Sequence, residues 1–205
     1  MQTAQQLKRG TLRRFTVAAL GALIACAAPM GHAQTTLAGV RYEATVQVRG
    51  TALQLNGAGI RYRGPFKVYA AGLYLTQKAP TPESVFAASG PKRMSITMLR
   101  EIDSNELGKL FARAVEDNMD KGAFAKLVPS VIRMGEIFAE HKKLAPGESF
   151  EMDWQPGVGT VIAVKGKVQG EPFKEPEFYT ALLRIWLGPK PADHALKEAL
   201  LGKPG

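Results

Sequence analysis

The chain has 205 residues, of which 45% are hydrophobic and 22% are charged, and its formal net charge is +9. This length favours one domain, and the composition is that of a globular protein rather than a disordered chain. The single cysteine, Cys26, excludes an intramolecular disulfide, and three dispersed histidines leave little for a metal site, so we expect no cofactor.

Residues 1–33 have the pattern of a secretory signal peptide. Four basic residues precede an uncharged apolar run over 15–28, and Gly31 and Ala33 supply the small residues of a cleavage site. The run is too short to span a membrane comfortably. We therefore expect cleavage after Ala33, a single domain over 34–205, and a periplasmic or secreted location.

Two other features of this leader leave alternatives open. The sequence Leu-Ile-Ala-Cys ending at Cys26 is similar to a lipoprotein signal, in which that cysteine would carry a lipid anchor. The pair Arg13 and Arg14 is a weaker indication of twin-arginine export, because basic pairs are common in such segments.

Removal of the leader also changes the interpretation of the charge. It takes away four basic residues and leaves 23 basic and 18 acidic ones, a net charge of +5. No run of lysine and arginine with interleaved aromatic residues is present, so we expect no nucleic-acid partner. No later stretch approaches membrane-spanning length, and we expect no transmembrane segment in the mature chain.

The chain between residues 40 and 102 has the pattern of β-strands. Apolar and polar residues alternate over 40–48, which indicates a half-buried strand. Gly50 can turn the chain, and Gly64–Pro65 is typical of a hairpin turn. We predict strands over 40–48, around Leu53 and Leu55, and over 60–63, 66–76 and 94–102.

The period then becomes helical. Asp103, with Glu106 three residues later, is typical of a helix N-terminus. One helical face follows, formed by Leu107, Leu110, Phe111, Ala114 and Asn118. Pro129 suits the first turn of a second helix, which would turn Val131, Met134, Ile137 and Phe138 inward.

The last third of the chain repeats this order of strands and then helices. Alternation over 150–154 and an apolar run over 160–164 predict two strands, followed by a turn into Val168. A buried helical stripe begins after Pro176 and ends at Gly188, and a short helix precedes Gly202. Because strands and helices do not alternate singly, we predict an α+β fold, with a large antiparallel sheet and helices packed on one face.

Known catalytic and nucleotide-binding motifs do not fit this chain. Gly57, Gly59 and Gly64 have the wrong spacing for a dinucleotide fingerprint, and a strand rather than a helix follows them. We expect these glycines to allow a bulge or a close backbone approach. Nucleophile-elbow, zinc-protease and phosphate-loop patterns do not occur in the sequence.

The strand pair around Gly64 carries unusual polar residues. Alternation places Arg61 on the same side as Gly59 and opposite Tyr62. A guanidinium that points inward needs an anionic or carbonyl partner, and its planar fork suits a carboxylate. For Tyr62 and Arg63, an exposed strand position is the simpler interpretation.

The segments 55–61 (LNGAGIR) and 66–75 (FKVYAAGLYL) resemble the chalcone isomerase family, in particular its bacterial exported members. The segment 178–188 (FYTALLRIWLG) strengthens the resemblance, which extends from about Gly39 to Gly202. It implies an open-faced β-sandwich with a cleft between sheet and helices.

The resemblance also implies roles for individual residues. The plant enzymes close a flavanone ring without a cofactor, and their Gly-x-Gly-x-Arg arginine falls on Arg61, where it would stabilise an enolate. Fatty-acid-binding members hold a carboxylate with an arginine and a tyrosine at the positions of Arg61 and Tyr69. The plant enzymes add a tyrosine and an asparagine from a helix start, and residues 100–107 here contain no tyrosine.

We therefore expect a non-catalytic protein that binds an apolar, fatty-acid-like carboxylate through Arg61 and Tyr69, with Arg100 as a second positive group. The alternative is a cofactor-free isomerase that acts on a chalcone-like enone, with Arg61 as its catalytic residue. A third interpretation is a scaffold without ligand, in which Arg61 pairs with a core acid.

Overall fold

The structure is a computed structural model that describes residues 34–203. Its strands are β1 (Thr35–Leu37), β2 (Val40–Tyr42), β3 (Thr45–Val48), β4 (Thr51–Arg63), β5 (Phe66–Leu75), β6 (Lys92–Met98), β7 (Ile102–Asp103), β8 (Lys143–Leu144), β9 (Ser149–Gln155), β10 (Gly159–Val164) and β11 (Lys167–Val168). Its helices are α1 (Pro82–Ala87), α2 (Ser104–Asp117), α3 (Lys121–Ala139), α4 (Pro176–Leu187) and α5 (His194–Leu200). The predicted signal peptide and Cys26 lie outside the described residues.

Seven strands form one antiparallel sheet in the order β11-β10-β9-β6-β5-β4-β3. Strands β1 and β2 form a separate hairpin, and β7 pairs with β8. In residues 34–203, no helix is both long and apolar enough to cross a membrane.

The two faces of the sheet carry separate hydrophobic clusters. On one face, side chains such as Leu73 and Met94 pack with residues of all five helices, including Phe111 and Trp186. On the other face, Leu53, Ala70 and Tyr74 pack with Tyr42 and other side chains of the β1–β2 hairpin. The predicted α+β fold, a large antiparallel sheet with its helices on one face, is confirmed.

Strand boundaries differ from the prediction at the glycines. The predicted strand over 40–48 is divided into β2 and β3, whereas β4 runs without interruption through Gly57 and Gly59. The pairing of β4 with β5 shifts between Leu55 and Gly57 and again after Arg61, so bulges accommodate the irregular sequence. The hairpin turn at Gly64 is confirmed, and its φ of +57° is one that glycine adopts readily.

Helix starts follow the acidic residues rather than the prolines in the middle of the chain. Asp103 caps α2 as predicted, because its Oδ1 accepts the backbone N–H of Glu106 at 3.0 Å. The prediction that Pro129 begins the next helix is wrong: α3 begins at Lys121, capped by Asp120, and Pro129 lies inside it. The apolar face that α3 turns toward the core outweighs the one hydrogen bond that proline cannot donate.

Candidate ligand-binding site

Strands β4 and β5 place Arg61 and Tyr69 directly opposite each other. The two residues are cross-strand partners, and Tyr69 belongs to the cluster under the helices, so both side chains lie on the helix-covered face. The Cζ atom of Arg61 lies 5.6 Å from the centroid of the Tyr69 ring. The register shift that follows Arg61 leaves Val68, the residue just before Tyr69 on β5, without a partner on β4.

A cavity of about 250 Å³ opens beside this pair. Its walls are mainly apolar and come from β5, α2, α4 and the loop before α5; they include Val68, Leu107, Leu110, Phe111, Ile185 and Ala192. An apolar hollow with a few placed polar groups is the usual form of a small-molecule site, and the volume of this one lies just below the usual range of about 300–1,000 Å³.

The hydroxyl of Tyr69 is positioned by the core. It accepts a hydrogen bond from Nε1 of Trp186 at 2.8 Å, and no residue of the described range accepts its own hydrogen. Burial raises the pKa of Tyr69 to about 12, although the positive charge of Arg61 acts in the opposite direction. Near neutral pH the hydroxyl is therefore a hydrogen-bond donor beside the cavity.

In the described chain, the Nε atom of Arg61 lacks the hydrogen-bond partner that a shielded donor requires. It is out of contact with solvent and has no hydrogen-bond partner within residues 34–203. Arg93 shows the contrast, because it is bound by both carboxylate oxygens of Asp153 at 2.7 and 2.6 Å. The carboxylate of Asp193 instead accepts the backbone N–H groups of Tyr62 and Leu196. These contacts argue against the interpretation in which Arg61 pairs with a core acid.

The family model described as chalcone isomerase-like matches residues 34–202. The chain belongs to the chalcone isomerase-like family. Among solved structures, it is similar to a fatty-acid binding protein from Arabidopsis thaliana, with a TM-score of 0.67 and 15% sequence identity over 82% of this chain and 95% of that one. At this identity the similarity shows the fold. No curated protein sequence matches the chain significantly.

In this chalcone isomerase-like chain, the two glycines before Arg61 allow a close approach of α5, as the sequence predicts. A Cβ atom at Gly57 would overlap the carbonyl oxygen of Ala199, and one at Gly59 would lie 2.7 Å from the Cβ of Ala199. The helix therefore rests directly on the backbone of β4, next to the candidate site.

A buried asparagine fastens the same contact. Asn56 lies in the bulge of β4, and its side-chain amide donates to the carbonyl oxygens of Ala79 at 3.0 Å and Leu200 at 2.8 Å. Its Oδ1 accepts the backbone N–H of Ala79 at 2.7 Å. Sequence analysis missed this role, because a lone asparagine between strand residues gives no such signal.

A second asparagine holds the loop between α4 and α5, which forms one side of the cavity. The side chain of Asn118 donates to the carbonyl oxygen of Lys190 and accepts its backbone N–H, at 2.9 and 2.8 Å. Sequence analysis placed Asn118 only on the inner face of α2.

Charged residues at the mouth of the cavity were also missed. Arg113 and Asp117 stand one turn apart on α2, and Lys190 faces them from the loop after α4; all three are exposed and line the cavity. For Arg113 and Asp117, the helical spacing from Leu110 is the available sequence signal, and it does not distinguish residues at a cavity mouth from an ordinary solvent-exposed face. Lys190, in a loop, gives no such signal.

Arg100, the third residue expected to bind ligand, lies elsewhere. It follows the end of β6, is exposed, and its Cζ lies 4.4 Å from the centroid of the Phe66 ring. It is not among the described residues that line the cavity. The structure thus brings Arg61 and Tyr69 together and leaves Arg100 outside.

The rest of residues 34–203 offers weaker candidates for a ligand or metal site. A more open depression of about 400 Å³ lies where α2, α3 and α4 meet. Its lining includes Glu177 and Arg184, but its Asp120 already caps α3 and its Asn118 holds the neighbouring loop. Within the same range, no group of three or more histidine, cysteine, aspartate or glutamate residues is arranged to hold a metal ion.

Proposed function

We propose that the protein binds an apolar carboxylate, such as a fatty acid, in the cavity beside Arg61 and Tyr69. The observation that carries this proposal is the shielded Nε of Arg61, which no residue of the described chain satisfies. A shielded N–H donor without a partner is costly, and an anion that enters the cavity would remove that cost.

The two polar side chains are complementary to a carboxylate. Arg61 supplies N–H donors and a positive charge, and Tyr69 supplies one O–H donor held in place by Trp186. A carboxylate has two acceptor oxygens, and charge-assisted hydrogen bonds to it are about twice as strong as neutral ones. The apolar walls formed by α2 and α4 would then surround a hydrocarbon chain.

The comparison with the Arabidopsis protein supports the choice of ligand class. That protein is described as a fatty-acid binding protein, and it shares this fold over most of both chains. The likeness supports binding over turnover as the first activity to test.

A titration with matched ligands tests the proposal. Straight-chain fatty acids of increasing length and their methyl esters would be titrated into the wild type, Arg61→Ala and Arg63→Ala, because Arg63 is an exposed arginine two positions further along β4. We expect the acids to bind and the esters to bind weakly, with affinity lost in Arg61→Ala and retained in Arg63→Ala. Binding of acids and esters alike, or equal loss in both variants, would contradict the proposal.

The isomerase alternative uses the same arginine and is separated by a rate measurement. An arginine beside an apolar cavity is also what stabilisation of an enolate would require. If the chain accelerates chalcone cyclisation above the spontaneous rate and Arg61→Ala abolishes this acceleration, the protein is an enzyme. If the rate is unchanged while fatty acids bind, the binding function stands alone.

We further propose that the protein acts outside the cytoplasm. The support is the basic and apolar pattern of residues 1–33 and the start of the family match at residue 34. Mass spectrometry of the protein recovered from the cell envelope would give an N-terminus at Gln34 for a cleaved leader, or a lipid-modified Cys26 for a lipoprotein. A full-length chain in the cytoplasm would contradict export.

A further inference from the structure

The tip of the β4–β5 hairpin, residues 62–67, extends beyond the rest of the sheet. On the β5 side, pairing with β6 begins only at Tyr69, opposite Met98. On the β4 side, pairing with β3 reaches from Thr51 only to Gln54. Within the described sheet, the strand residues of the tip thus pair only with each other, and the turn residues Gly64 and Pro65 between them are exposed.

The tip combines exposed aromatic rings with exposed cations. Tyr62 and Phe66 are 45% and 55% exposed, although large apolar side chains elsewhere in the described chain are mostly buried. Each ring stands opposite a basic residue across the hairpin, Tyr62 opposite Lys67 and Phe66 opposite Arg63. Because cross-strand partners share a face, each face of the tip presents one exposed ring beside one cation.

The positive charge of this region is not neutralised locally. Neither Arg63, Lys67 nor the neighbouring Arg100 forms an ion pair within residues 34–203. Of the two acidic residues close by, Glu101 pairs with Lys143 at 2.7 Å. Asp193 accepts the uncharged backbone N–H of Tyr62 and keeps its negative charge, so in this part of the described chain the three cations outnumber one unpaired carboxylate.

We propose that the hairpin tip docks on the surface of an anionic phospholipid bilayer. Aromatic side chains partition to the boundary between headgroups and acyl chains, while arginine and lysine extend to the phosphates. The narrow tip offers one such ring and one such cation on each of its two faces, so both faces could contact the boundary when the tip enters it. The cavity lining includes Arg61 and Val68 at the base of the tip, so docking would bring this side of the cavity close to the bilayer.

Vesicle binding tests the docking and does not depend on the ligand proposed above. The wild type and Arg63→Gln/Lys67→Gln would be titrated with vesicles of phosphatidylcholine alone and with 30% phosphatidylglycerol. The matched control is Lys121→Gln/Lys126→Gln, which removes two exposed charges from α3. We expect the wild type to prefer the anionic vesicles, the tip variant to bind them about thirtyfold more weakly, and the control to change by less than about threefold.

The wild type and all variants carry the same N-terminal segment, which could itself bind vesicles. A fluorescent probe on the tip therefore reports contact of the tip with the bilayer separately from binding by that segment. In Phe66→Trp, we expect brominated lipids in anionic vesicles to quench the added fluorescence beyond the signal of Trp154 and Trp186. Equal vesicle binding by the two double variants, or an unquenched probe, would overturn the proposal and leave the tip as a surface for an acidic protein. Fatty-acid binding in solution, measured on the same variants, reports separately on the cavity.

Discussion

Replacement of Arg61 by methionine should change stability and ligand binding in opposite directions. Methionine keeps much of the length and apolar stem of arginine but has no N–H groups. In the ligand-free protein, the substitution removes a shielded Nε that has no partner in the described chain. We therefore expect Arg61→Met to be at least as stable as the wild type, although most substitutions of partly buried residues destabilise.

The expected magnitude follows from two contributions. Relief of an unsatisfied buried donor stabilises by about 1–3 kcal/mol. Loss of the contact between the guanidinium and the Tyr69 ring, at 5.6 Å, costs about 0.5–1 kcal/mol. The net gain is about 1 kcal/mol, which corresponds to a rise in Tm of about 2–4 °C for a domain of this size.

Ligand binding should respond with the opposite sign. A charge-assisted hydrogen bond to a carboxylate contributes about 1.5–3 kcal/mol, so Arg61→Met should bind fatty acids about 10- to 150-fold more weakly. Calorimetric melting and ligand titration measure the two effects, and Arg63→Met, on the exposed tip, should change neither. If Arg61→Met lowered Tm by several degrees, Arg61 would have a structural partner and the reasoning would be refuted.

Three further predictions concern the surroundings of the site. Gly57→Ala should lower the free energy of unfolding by about 3 kcal/mol, because its Cβ would overlap the backbone of α5. In the matched control Gly135→Ala, the added Cβ meets nothing within 4 Å, so thermal melts should show a neutral or stabilising effect. Asn56→Ala should lower the free energy of unfolding in urea by about 2–4 kcal/mol, since it leaves buried backbone groups unpaired, and the exposed Asn105→Ala should change it by less than about 0.5 kcal/mol. Burial raises the pKa of Tyr69 to about 12, so as pH rises the tyrosine ionises in the unfolded chain before it ionises in the folded protein. The contribution of Tyr69 to the free energy of unfolding is therefore complete below about pH 10 and is lost as pH rises toward 12. Between pH 9 and pH 12, the free energy of unfolding in urea should therefore fall by about 2–3 kcal/mol less in Tyr69→Phe than in the wild type. An equal fall in both proteins would contradict this pKa.

The sequence was informative wherever a pattern repeats along an element. The alternation of β9 and the apolar stripe of α4 each depend on several side chains with one period, so the core-facing sides could be predicted. The opposition of Arg61 and Tyr69 was accessible only in part. Alternation gave the side of the strand on which Arg61 lies, and the family resemblance supplied Tyr69.

Features that depend on one residue and a distant partner could not be predicted. Asn56 bonds to Leu200, 144 positions away, and such a pairing leaves no local periodicity. Asn118, 72 positions away, helps to hold the loop that brings Lys190 to the cavity mouth. Pro129 misled the helix prediction because its effect on one hydrogen bond is local, while the face that α3 buries is determined by the whole helix.

The hydrogen bond from Trp186 to Tyr69 gives the protein an optical reporter of its own. The indole donates to the phenolic oxygen that would in turn donate to a bound anion, so occupancy would polarise the chain of bonds and shift the emission of that indole. Trp154, packed against Tyr179 on the same side of the sheet but outside the cavity lining, supplies a steady background. Binding can thus be followed in solution without a label attached to either molecule.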